Sequence, residues 1–296
     1  MKKFLSIFFL FCACHTLVAD STRIVLLYSN NSNGLLENCH CPEHAYGALE
    51  KRAYVVDSIR SKEKNILLLD SGDILDIVSN RLLHSYMLRA YDFMKYDLWV
   101  AGDQDFVEGP DFFLQDMLNL NMIFLNTNLE YKDKMPGKKY IVEQFTDIKI
   151  GITGTINPAY QKYLERESQE QFRIKEQEEN LDLVLQEMSP ECDYIVLISH
   201  SGLDKDEQLA ERFPNINLII GGHSQILTKK PKVVGETVIV QGGESGYRLG
   251  TIYLTFNNNK LKNLKNKFIL LDKDIPDHPE IVKLIKEYHR IRLTGK

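Results

Sequence analysis

Short runs of Val, Ile and Leu recur along the chain. Between them lie longer stretches whose apolar residues return every three to four positions, and this alternation of buried strands with amphipathic helices marks an α/β fold. The runs predict strands over Arg23–Tyr28, Asn65–Leu69, Leu98–Ala101, Met122–Leu125, Lys149–Thr153, Tyr194–Ser199 and Asn217–Ile220. The periodic stretches predict helices over Gly47–Ser61, Arg81–Lys95, Gly109–Leu118, Phe172–Met188 and Asp204–Phe213. Past Gly222 the pattern changes. Thr237–Gln241, Arg248–Phe256 and Lys265–Leu271 are closely spaced and separated by Gly- and Asn-rich turns, which predicts an antiparallel region. A final amphipathic segment, His278–Ile291, predicts a helix packed on the outside. The Glu-rich stretch Glu165–Glu179 reads as a solvated helix face. No repeat or linker interrupts the series, so residues 20–296 are expected to form a single domain with a C-terminal helix at about 278–292.

The first nineteen residues stand apart from this pattern. Lys2 and Lys3 precede an apolar run from Phe4 to Cys14, too short to span a bilayer but matched to the core of a secretory signal, so residues 1–19 are read as a signal peptide. Export to a periplasmic or extracellular compartment is the expectation. An open alternative is lipidation of Cys14, because Phe11-Cys12-Ala13-Cys14 loosely resembles a bacterial lipobox and would tether the protein to a membrane. No later stretch has the length and hydropathy of a transmembrane helix.

Composition narrows the class further. With 296 residues and 44% hydrophobic content the chain has ample material for a large core, which excludes disorder. The formal net charge is −5, and removal of residues 1–19 leaves 34 basic against 41 acidic residues, net −7. No block of Lys or Arg marks a nucleic-acid face, so nucleic acid is not an expected partner. Three cysteines remain in the body, Cys39, Cys41 and Cys192, too few for a disulfide scaffold.

Ligands of open α/β sheets bind beyond the carboxyl ends of the strands. The segments after the predicted strands are Asn30-Asn31-Ser32-Asn33-Gly34, Asp70-Ser71-Gly72-Asp73, Gly102-Asp103-Gln104-Asp105, Ser199-His200-Ser201-Gly202 and Gly221-Gly222-His223-Ser224-Gln225. Taken singly, each is an ordinary turn, and a lone His after a strand is more often a satisfied rim residue than a ligand. Independent turns, however, need not gather two Asp and two His on one sheet edge.

These segments, in this order and spacing, resemble the calcineurin-like metallophosphoesterases, specifically the N-terminal domain of the secreted 5'-nucleotidase branch. The resemblance runs from about Arg23 to Leu271 and takes in Tyr96-Asp97-Leu98-Trp99-Val100-Ala101-Gly102, Asn126, Asn128 and Val240-Gln241-Gly242-Gly243. It implies a four-layer α-β-β-α sandwich with metals at the strand ends. The family pattern is Asp-x-His-Gly after the first strand, Gly-Asn-His-Glu after the third and Gly-His-x-His near the end. At those positions this chain has Asn31 and Asn33, then Asp103 and Gln104, and finally Gln225. The first of two family metals therefore loses charged or imidazole ligands to amides, which are weak ligands for transition metals. Asp73, Asp103, His200 and His223 would still hold one Zn, Mn or Fe, and the alternative is no metal at all. Gln104 stands at the family's catalytic His position, and an amide cannot donate a proton at useful pKa, so slow hydrolysis of a small phosphorylated ligand is the expectation. The family's nucleoside-holding C-terminal domain is not expected within these residues.

Cys39-His40-Cys41-Pro42-Glu43-His44 supports a second reading. Cys39 and Cys41 are spaced for a local disulfide, and with His44 or His40 they could instead form a redox pair or bind a soft metal. The chain would then be a catalytically inactive pseudoenzyme acting through this loop as a ligand-, metal- or redox-binding protein. Cys192 precedes a buried strand and reads as a packed thiol.

Overall fold

The structure is a computed structural model that describes residues 21–38 and 45–295. The predicted leader with Cys14, and the Cys39, Cys41 and His44 loop, lie outside the described residues.

The chain opens with β1 (Thr22–Ser29), α1 (Leu49–Arg60), β2 (Ile66–Asp70), α2 (Arg81–Met94) and β3 (Leu98–Trp99). A 3-10 turn over Asp103–Phe106 leads to α3 (Pro110–Phe112), which widens into a π-helical turn over Phe113–Met117 before β4 (Ile123–Phe124). Next come β5 (Leu129–Tyr131), β6 (Tyr140–Phe145), β7 (Ile148–Ile156), α4 (Arg166–Gln171), β8 (Phe172–Ile174), α5 (Gln177–Met188), β9 (Tyr194–His200), α6 (Leu203–Arg212) and β10 (Leu218–Gly221). The chain ends with β11 (Lys232–Val234), β12 (Thr237–Val240), β13 (Arg248–Asn257), β14 (Lys260–Leu270) and α7 (Pro279–Thr294).

Two six-stranded sheets result, with strand orders β14-β13-β1-β2-β3-β4 and β11-β12-β10-β9-β7-β6, and β5 and β8 form a separate ribbon. The apolar runs are continuous because both faces of the central strands are covered. In β1, Ile24, Leu26 and Tyr28 face the second sheet, where they meet Ile150, Ile152, Val196 and Ile220. The alternate residues Val25 and Leu27 pack instead with Val56, Met87, Tyr91 and Ile281 from α1, α2 and α7. Ile195, Leu197 and Ile219 meet Leu181, Leu185 and Leu209 from α5 and α6 on the opposite outer face. These contacts make the expected α-β-β-α sandwich. Each aliphatic side chain sealed in them contributes about 1.5–3 kcal/mol of transfer free energy.

Local departures from the sequence reading have local causes. The predicted helix over Phe172–Met188 begins late: Phe172–Ile174 pairs with β5, and the helix starts only at Gln177. The predicted antiparallel region past Gly222 is split, because Thr237–Val240 runs parallel to β10 and antiparallel only to β11, whereas β13 pairs antiparallel with β1 and β14. The strands β5 and β11, three residues each, are too short to announce themselves, and in β6 the pair Glu143-Gln144 interrupts the apolar run.

Register decides where the chemistry falls. Ser29 lies opposite Asp70 at the end of β1 and β2, while Ile156 opposes His200 and Ser199 opposes Gly221 in the second sheet. The carboxyl ends of both sheets therefore open on one edge. The sheets are joined there by the Ser71 hydroxyl, which donates to the Gly221 carbonyl at 3.2 Å.

Candidate metal centre

Asp73, Asp103, His200 and His223 each bring one ligand atom into a group whose members all lie within 4.8 Å of one another. They come from four loops or strand ends on the shared edge. Asp73 and His223 sit at positive φ, 58° and 69° respectively, a region uncommon outside glycine but tolerated by Asp, Asn and His. Close packing of the loops requires Gly102, since a Cβ there would come within 2.2 Å of Asp73 Oδ1.

Hydrogen bonds fix the orientation of each member. His200 is fully buried, and its Nδ1 donates to the Ser71 carbonyl at 2.7 Å. With the proton on Nδ1, a neutral His200 turns its Nε2 lone pair toward Asp103 Oδ1 at 3.2 Å and Asp73 Oδ1 at 3.3 Å. His223 Nδ1 lies 3.0 Å from the same Asp103 oxygen. A lone pair facing two carboxylates is relieved only by a proton or a cation between them. Burial alone would lower the His200 pKa, but Asp73 and Asp103 hold it well above the ordinary imidazole value. Burial likewise works to raise Asp103, and the contacts from His200 and His223 hold it below the usual carboxylate range. This donor set, two carboxylates and two imidazoles with a backbone carbonyl orienting one ring, fits a divalent transition metal.

Surrounding groups hold the cluster in place. Asp105 accepts from the backbone N–H groups of Gly102, Asp73, Ile74 and Leu75 at 2.8–3.1 Å, tying two of the loops together. Burial and then the Asp73 charge push its pKa up to about 8 against the pull of those four donors. Gln104 donates through its side-chain amide to Asp73 Oδ2 at 3.1 Å and through its backbone N–H to Asp73 Oδ1 at 3.2 Å. Tyr160 stacks on His223 with ring centroids 3.7 Å apart and donates its hydroxyl to the Ser201 carbonyl at 2.6 Å. Asp105 lay within a segment already singled out, but the role of Tyr160 follows from an Asn157-Pro158 turn that carries no chemical signal of its own.

The amide positions lie beside this group. Asn31 is fully buried, and its Oδ1 accepts from the His223 backbone N–H at 2.9 Å. Its Nδ2 and the Oδ1 of Asn33 have no hydrogen-bond partner among the described residues. Asn31, Asn33 and Gln225 all have positive φ, as Asp73 and His223 do. Cys192 is half-buried and donates through Sγ to the Met188 carbonyl, and burial pushes its pKa up to about 11. No described helix is long and apolar enough to cross a membrane.

Comparison with known proteins places this geometry. A family model described as calcineurin-like phosphoesterase matches residues 20–226. A 5'-nucleotidase from Diplobatis ommata is 22% identical over 94% of this chain and 54% of its own length. A snake venom 5'-nucleotidase from Crotalus adamanteus is 24% identical over 92% of the chain and 52% of its own length. The chain thus spans about half the length of these curated relatives. Among solved structures, the sulfate thiohydrolase SoxB of Thermus thermophilus superposes with a TM-score of 0.80 at 18% identity, covering 92% of this chain and 61% of that one, a likeness of fold.

Proposed function

The chain belongs to the calcineurin-like phosphoesterase family, and we propose that it is an exported metal-dependent hydrolase of small phosphoesters that works with a single divalent cation. Asp73, Asp103, His200 and His223 would hold that cation. The observation that carries the reading is the convergence of these four ligand atoms within 4.8 Å. Export is supported by the leader-like residues 1–19 and by the venom relative.

A cation bound there supplies Lewis acidity to a phosphoryl oxygen and acidity to a water. The residues themselves supply placement. Ser71 and Tyr160 hold the two imidazoles, and Gln104 and Asp105 hold the Asp73 loop. No residue among them delivers a proton to the leaving group as an imidazole would, because Gln104 presents a neutral amide to Asp73. Turnover is therefore slow, and it depends on how well the leaving group departs unaided.

The test is hydrolysis of p-nitrophenyl phosphate by the purified protein with added Mn²⁺. Asp73→Ala and His200→Ala should each abolish it. Turnover that persists in both variants refutes the reading, and absence of turnover in the metal-loaded parent assigns the chain to non-catalytic binding.

A further inference from the structure

A cleft of about 500 Å³ opens directly on the ligand group, with Asp103, Gln104 and His223 forming its inner end. Its outer wall is apolar, built from Ile77, Val107 and Tyr163. Ile77 is 73% exposed and Tyr163 55%, so both present apolar surface to the cleft. Among the described residues no lysine or arginine lines the cleft, and the one outer charged residue there is Glu165. Lys162 lays its ammonium over the Tyr163 ring, 4.8 Å from the centroid, and does not line the cleft.

Both walls are held by named contacts. The loop that carries Ile77 is pinned by the buried His84, whose Nε2 accepts from the Asp76 backbone N–H at 3.2 Å. His84 Nδ1 donates to Glu108 at 2.6 Å, and Glu108 also accepts from the Asn80 backbone N–H and the Ser79 hydroxyl. The Tyr163 wall is set by Asn157, which accepts from the Ala159 backbone N–H, and by Glu165, which accepts from those of Glu167 and Ser168. Ile77 and Tyr163 are thus presented on tied loops at the mouth of the site.

We propose that this cleft is the leaving-group subsite, and that it selects phosphoesters whose leaving group is aromatic and carries no negative charge. The inference rests on the phosphoester reading above. Three observations converge on it. The apolar wall and the Tyr163 ring offer a flat surface for an aromatic ring. Glu165, with no cation beside it among the described lining residues, disfavours an anionic leaving group such as a second phosphate. Gln104 withholds a proton, so the leaving group must depart as a stable anion, which a phenolate does and a simple alkoxide does not. In the reaction, the oxygen of a water bonds to phosphorus and the P–O bond to the aryl oxygen breaks. The phenolate leaves with that electron pair, and the water's proton passes to solvent.

The test uses phosphonates, whose P–C bond survives the measurement. Calorimetric titration of the full chain loaded with Mn²⁺ should show phenylphosphonate binding about tenfold more tightly than methylphosphonate, the gain expected from burying part of one ring. Ile77→Asp and Tyr163→Ala should each bring that ratio down toward unity, with methylphosphonate on the same variant as the reference. Both side chains are exposed, so neither substitution threatens the fold. Equal binding of the two phosphonates by the parent protein overturns the subsite alone. Binding of neither overturns the phosphoester reading together with the subsite built on it.

Discussion

Two halves of one sheet edge share a backbone design and differ in chemistry. On one side Asp73, Asp103, His200 and His223 are locked in mutual contact. On the other, Asn31 and Asn33 occupy loops of the same left-handed kind, φ 48° in both, yet their Nδ2 and Oδ1 respectively have no partner among the described residues. Asn adopts left-handed backbone as readily as Asp, and the Asn31 and Asn33 N–H groups bond to the Gly72 and Asp73 carbonyls whatever their side chains carry. Loop geometry and ligand charge are therefore separable. The scaffold persists where the charge has gone.

Behind the amide half lies a charge balance of its own. Arg52 is buried and donates to the hydroxyls of Tyr91, Tyr96 and Ser32. Burial works against its charge, but Tyr96, Tyr91 and Asp70 hold its pKa raised. Asp70 in turn accepts from the Tyr91 and Ser29 hydroxyls and from the Gly72 backbone N–H. Its negative charge is committed to that network. The amide half thus keeps Arg52 and Asp70 linked through the shared Tyr91 hydroxyl, and no carboxylate of its own at position 31 or 33 for a second cation.

The largest effect should come from cutting the charged half. His200→Ala, measured by competition with a chelator, is expected to weaken metal binding at least about a thousandfold, because one of four ligands is lost. Cutting the buried Arg52–Tyr91–Asp70 network behind the amide half should act on stability instead. Arg52→Met leaves Asp70 buried without its cation and should cost about 3 kcal/mol in urea unfolding, with metal affinity little changed.

A pH series sharpens the same contrast. Burial raises Asp70 to about 6 against the pull of its hydrogen bonds and Arg52. The native state then holds this proton more tightly than the unfolded chain, whose carboxyl titrates near 3.9. The contribution is full below about pH 4 and is lost as pH rises to about 6, so stability should fall by about 2 kcal/mol across that window. Asp70→Asn should flatten this part of the profile in urea titrations at the two pH values. The smallest effect belongs to the amides: Asn31→Ala with Asn33→Ala should weaken metal affinity by about tenfold, because Asn31 holds the His223 backbone without ligating.

Much of this arrangement is legible in the sequence because it rests on short-range signals. Runs such as Ile24–Tyr28 and Tyr194–Ser199 need both faces covered, which fixes strand and layer, and the polar segments after them mark the working edge. Within those segments the resemblance to the metallophosphoesterases picks out Asp73, Asp103, His200 and His223, and the structure brings their ligand atoms within 4.8 Å of one another. What could not be read is non-local. Arg52 looks like one more helix charge until Ser32, Tyr91 and Tyr96 fold around it. Tyr160 meets His223 only through tertiary packing, and Ile77 owes its position to His84 and Glu108 in other elements. The parallel pairing of Thr237–Val240 escaped because a short apolar run carries no mark of its partner's direction.

The central claim is that one half of the edge binds a metal and the other does not. Elemental analysis of the purified chain after equilibration with excess Mn²⁺ and gel filtration tests it most directly, with Asp103→Ala as the control. The account predicts about one metal ion per parent chain and none in the variant. Two ions per chain would show that Asn31 and Asn33 ligate after all, and none would contradict the account, leaving a proton on His200 to satisfy Asp73 and Asp103.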